Sequence, residues 1–74
     1  MTHEQFAAIA ELIRLRGGPA PAGAELVLVH GLGVQQAAAQ VGCSRQNVGN
    51  TIKRVRAGLR LARVAAGLAP VDGA

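Results

Sequence analysis

Apolar residues near the start of the chain recur at helical steps. Phe6, Ile9, Ile13 and Arg16 fall on one face at steps of 3, 4 and 3, with Ala10 and Leu12 beside them. Thr2 and Gln5 have capping-box spacing, which predicts a first helix from about His3. Gly17-Gly18-Pro19 should stop it, because proline cannot continue the hydrogen bonding. Pro21 suits the first turn of a second helix running to about His30. The run Leu26-Val27-Leu28-Val29 would also serve as a short strand, but Ala22-Gly23-Ala24-Glu25 offers it no pairing partner, so helix is favoured. Gly31-Leu32-Gly33 is a break. Val34 to Val41 then reads as a short Ala-rich helix that Gly42 ends in the left-handed conformation. Cys43 should pack inward and Ser44 should cap a last helix running to about Ala66, with Gly49 and Gly58 each weakening it by about 1 kcal/mol. The expectation is one domain over residues 1–68 and a frayed tail over 69–74.

The segment Val34 to Val55 narrows this all-α reading to a small helix-turn-helix domain of four helices. Ala38 lies four residues before Gly42, Val48 six after it, and Ile52 and Val55 follow on the same stripe. Two steeply crossing helices need a small residue on the first, a sharp turn between them and apolar plugs on the second. The outer face of the last helix is then left to meet a major groove. Arg45, Gln46 and Asn50 are the candidates for base edges, since arginine matches guanine O6/N7 and the amides match adenine N6/N7. Lys53, Arg54 and Arg56 are suited to phosphates, as are Ser44 and, at the start of the preceding helix, Gln35 and Gln36. For each of these polar residues a merely solvated face is the alternative.

Charge sharpens the picture. The net charge is +4, but residues 43–66 alone carry +6 from Arg45, Lys53, Arg54, Arg56, Arg60 and Arg63 with no acid. Residues 1–42 hold Arg14 and Arg16 against Glu4, Glu11 and Glu25, a net of −1. A basic block of this kind points to phosphate backbones or an anionic membrane surface. The chain has 74 residues, half of them apolar, and Phe6 is its one aromatic. So small a core favours burial against a second copy. One cysteine excludes an intrachain disulfide and a Cys-based metal cluster. His3 and His30 lack a carboxylate or cysteine at ligand spacing, and no acid pair suits acid–base work. No enzyme activity, metal, cofactor or small-molecule substrate is therefore expected. No apolar stretch approaches the ~20 residues of a membrane span and the N-terminus does not resemble a signal peptide, so a cytoplasmic, nucleoid-associated protein is expected.

The last helix also offers a means of pairing. Val48, Ile52, Val55, Leu59 and Ala62 form a stripe at steps of 4, 3, 4 and 3 that should face the chain's own core. Roughly opposite, Gln46, Asn50 and Lys53 give way to Ala57, Leu61, Val64 and Leu68. The helix is thus expected to read DNA with its first half and to form a homodimer with its second. Two-fold pairing would set two recognition helices on palindromic half-sites ~34 Å apart. The competing expectation is that the distal stripe packs on the first helix of the same chain.

Three stretches resemble the TrfB/KorA-type repressors of bacterial plasmids. Thr2-His3-Glu4-Gln5-Phe6 is similar to that family's opening helix, and Val27-Leu28-Val29-His30-Gly31 to its lead into the helix-turn-helix. Gly42-Cys43-Ser44-Arg45-Gln46-Asn47-Val48 through Lys53-Arg54-Val55 is similar to its turn and recognition helix. The resemblance spans about residues 2–57 and implies an all-helical, homodimeric repressor of a plasmid or mobile-element operon, with Arg45 and Asn50 at base-contact positions. Longer members carry a further C-terminal dimerisation domain, for which 74 residues leave no room, so the resemblance does not supply the mode of pairing. Two rivals come from other classes. One is a protein-interaction module like region 4 of sigma factors. The other is a membrane-surface helix over Arg56 to Leu68, which its two opposed apolar faces disfavour.

Overall fold

The computed structural model describes residues 1–67, which form four helices and no strand: α1 (His3–Leu12), α2 (Pro19–Leu28), α3 (Val34–Val41) and α4 (Arg45–Ala65). The tail 69–74 and the expected interface residue Leu68 lie outside the described residues. The expected capping box starts α1. The Gln5 amide donates to Thr2 Oγ1 at 3.1 Å, and the Thr2 amide donates to Gln5 Oε1 at 2.9 Å.

α1 ends earlier than the glycine pair predicts. Arg14 adopts a left-handed conformation (φ 55°), its amide donates to the Glu11 carbonyl at 3.1 Å, and the Leu15 amide reaches back to Ala10 at 2.8 Å. This is a Schellman closure with arginine where glycine is usual. Leu15 packs against the core and so anchors the reversed chain. Arg16 consequently leaves the helical face that its spacing suggested.

α2 begins at Pro19, two residues before Pro21, with Gly18 (φ 136°) at its N-cap. Proline fits there because the first-turn amides have no intrahelical acceptor. Leu26 to Leu28 is helical, which resolves the strand alternative. α3 and the turn after it follow the sequence reading. Gly42 is left-handed (φ 72°, ψ 39°), the Cys43 amide donates to Ala38 at 2.9 Å, and Ser44 Oγ accepts from the Asn47 amide at 3.1 Å to start α4.

The core joins Phe6 and Ile9 of α1, Ala24 of α2, Ala38 of α3 and Val48, Ile52 and Val55 of α4. Val48 and Val55 are fully buried, while Leu59, Ala62 and Cys43 are half-buried against this cluster. Two glycines set how closely the helices approach. A Cβ on Gly23 would lie 2.8 Å from Val48 Cγ2 and 3.2 Å from Val41 Cγ2, so α2 is seated directly on the α3–α4 junction. A Cβ on Gly58 would lie 2.7 Å from Ile13 Cγ2 and 3.2 Å from Ile9 Cγ2. Gly58 is therefore more than a weak point in α4: a side chain there would force Ile13 to shift, so α1 packs this closely on the helix where none is present. The buried seam of α4 also includes Thr51, a polar residue absent from the apolar stripe. Its hydroxyl donates to the Asn47 carbonyl at 3.0 Å, which satisfies it inside the helix.

Candidate nucleic-acid interface

With Val48, Ile52 and Val55 turned inward, helical geometry sends Gln46, Asn50 and Lys53 to the opposite side. These three, with Arg45, Arg54, Arg56 and Ser44, are exposed. The side chains of Arg45, Gln46, Asn50, Lys53, Arg54 and Arg56 make no hydrogen bond or ion pair with any described residue. Their donors are thus available to a ligand. Ser44 Oγ is engaged as an acceptor by the Asn47 amide, which leaves its hydroxyl hydrogen able to donate outward.

The three basic phosphate candidates divide between two clefts on the flanks of α4. Lys53 and Arg56 line a groove of about 220 Å³ together with Ala57 and Arg60. Arg54 lines a separate cleft of about 340 Å³ with Arg14 and Arg16. The sequence assigned Arg14 and Arg16 to a nearly neutral N-terminal part. The early end of α1 and the α1–α2 connector return them to the basic helix. Gln35 and Gln36 are exposed in the first turn of α3, whose N-cap Gly33 makes no side-chain hydrogen bond to the turn's amides.

Farther along the same helix, Leu61 is 64% and Val64 54% exposed, beside a half-buried Ala57. α1 meets α4 through Ile9 and Ile13 over Gly58, so it does not cover these two residues. For Leu61 and Val64, the expectation that the distal stripe packs on the first helix of its own chain is therefore not met. Between the start of α1 and α2, His3 Nδ1 and Glu25 Oε2 lie 2.9 Å apart. Sequence spacing could not show this pair because 22 residues separate its members. It is solvent-accessible and worth at most about 1 kcal/mol. Among the described residues no group of three or more His, Cys, Asp or Glu is placed to hold a metal, and no helix is long and apolar enough to cross a membrane.

No family model, curated protein or solved structure matches the chain, so the likeness to the plasmid repressors rests on the motif residues alone.

Proposed function

We propose that the chain is a sequence-specific double-stranded-DNA-binding repressor that acts as a homodimer, with α3–turn–α4 as its helix-turn-helix. One observation carries this reading. Above a buried seam, the first half of α4 holds Arg45, Gln46 and Asn50 exposed and without a partner among the described residues, and these are the residue types that read base edges. Lys53, Arg54, Arg56 and Ser44 surround them as phosphate donors, and Gln35 and Gln36 add those of α3. Rigid support suits this role: Gly42 and Ser44 fix the turn, and Gly23 lets α2 clamp it.

Pairing is assigned to Ala57, Leu61 and Val64. Leu12 of α1 is as exposed, at 61%, but Leu61 and Val64 share one face of α4 with Ala57, and this grouping supports an interaction surface. About 16 Å of helix rise separates Asn50 from Leu61, so a second copy seated on the distal half leaves the first half open to DNA. The likeness to plasmid repressors extends the proposal to autoregulation of a plasmid or mobile-element operon.

The test is a mobility-shift series on DNA upstream of the chain's own gene and on random DNA, run at several salt concentrations. The proposal expects a preferred site that survives about 150 mM salt and is at least ~10³-fold tighter than random DNA. Equal, weak binding to both DNAs would contradict it and favour a protein partner of the transcription machinery.

A further inference from the structure

The cleft between the α1–α2 connector and α4 is lined by three arginines, Arg14, Arg16 and Arg54, and, among the described residues, by no acidic one. None of the three is paired with a described residue. Thr51 also borders the cleft, but its hydroxyl proton is committed to the Asn47 carbonyl, so the arginines supply the side-chain donors. Three cationic residues border one cleft with no acidic residue among the described ones, an arrangement that suits an anion.

A second, independent observation concerns Arg14. It occupies the left-handed position of the Schellman closure at φ 55°, where a non-glycine residue is strained. Gly17 and Gly18 follow three and four residues later, yet the strained position carries an arginine, and that residue borders the cleft. Strain held at a surface turn is a pointer to function when the strained residue also lines a site.

We propose that this cleft is a phosphate site, and that it takes a backbone phosphate of the DNA flanking the stretch read by α4. The proposal rests on the DNA-binding reading for the source of the phosphate, but not for the site itself. It makes Arg14 and Arg16 part of the binding surface and gives Arg54 a defined place in it. A phosphate held there would tie the N-terminal helix pair to the duplex and fix the angle at which α4 enters the groove.

The test uses Arg14→Gly and the double variant Arg14→Gly/Arg16→Gln in the full chain. Arg14→Gly removes a guanidinium while relieving the left-handed strain, so its melting temperature should rise by roughly 4–8 °C. Lost binding then cannot be ascribed to unfolding. Affinity for a random-sequence duplex of about 20 base pairs, two helical turns, is measured against salt. The slope of log K on log salt should fall by about 0.9 for each phosphate contact removed. In a parallel arm, inorganic phosphate is titrated against the amide resonances of Gly17, Gly18 and Thr51, which should shift in the wild type and not in the double variant.

A reduced slope together with lost phosphate shifts supports the full proposal. Phosphate shifts that vanish in the variant while the duplex slope is unchanged would overturn the DNA assignment and leave a site for free phosphate. Unchanged slope and unchanged phosphate response in both proteins would overturn the site. If the wild type binds no duplex at all, the DNA-binding reading fails, and the phosphate arm alone still decides the cleft.

Discussion

Along its first three turns, α4 shows Gln46, Asn50 and Lys53 to solvent; along its last three, the same side carries Ala57, Leu61 and Val64. Beneath both stretches runs one seam, with Val48, Ile52 and Val55 buried and Leu59 and Ala62 half-buried. Positive charge does not distinguish the halves, since Arg45, Lys53, Arg54, Arg56, Arg60 and Arg63 are spread over the whole helix. The inner side is thus governed by one requirement, packing on α1, α2 and α3. The outer side changes chemistry halfway, which packing within one chain does not require. The comparison teaches that packing explains only the inner side, and the proposed function accounts for the outer one by two kinds of binding, one for each half.

The largest expected effect separates the inner side from the outer. Ile52→Ala should lower stability by about 2–5 kcal/mol, a large share of the ~5–15 kcal/mol typical of a native domain. Asn50→Ala, two residues earlier, should stay within about 0.5 kcal/mol. Urea melts read both, and similar losses would mean that the two sides are not distinct. Next, Arg45→Ala should cost about 1–3 kcal/mol at a preferred DNA site and little on random DNA. Equal losses on both DNAs would demote Arg45 to a phosphate contact.

The distal half is probed by Leu61→Asp with Val64→Asp, which should yield the monomer mass in sedimentation while DNA is still bound, more weakly. An unchanged dimer mass would remove pairing from this surface. The smallest effect is one of sign. If pairing through Ala57, Leu61 and Val64 brings the neighbouring Arg56 and Arg60 of two copies together, added salt should modestly strengthen self-association, yet it should weaken DNA binding. Salt dependences of the same sign would show that the halves do not differ in this way.

Local signals were legible in the sequence. Thr2 and Gln5 announced the start of α1, Gly42 the left-handed turn, Ser44 the cap of α4, and the spacing of Val48, Ile52 and Val55 its buried seam. What escaped depends on residues distant in sequence. Gly58 looked like a helix weakness until Ile9 and Ile13 were seen against it, and Gly23 carried no signal without Val48 above it. Arg14 gave no hint of a left-handed backbone, because that conformation follows from Leu15 docking in the core rather than from arginine's own preference. For the same reason Arg14 and Arg16 were assigned to a separate, nearly neutral region instead of to the cleft with Arg54. The candidate base-edge residues were legible because a regular helix converts spacing directly into a face.

The central claim is that the first half of α4, and not the second, meets DNA. Amide chemical-shift mapping of the full chain, titrated with a duplex bearing its preferred site, tests this most directly. The account predicts the largest perturbations from Ser44 to Arg54, with smaller ones at Gln35 and Gln36 and little change at Leu61 and Val64. Perturbations centred on Leu61 and Val64, or spread evenly over all four helices, would contradict it.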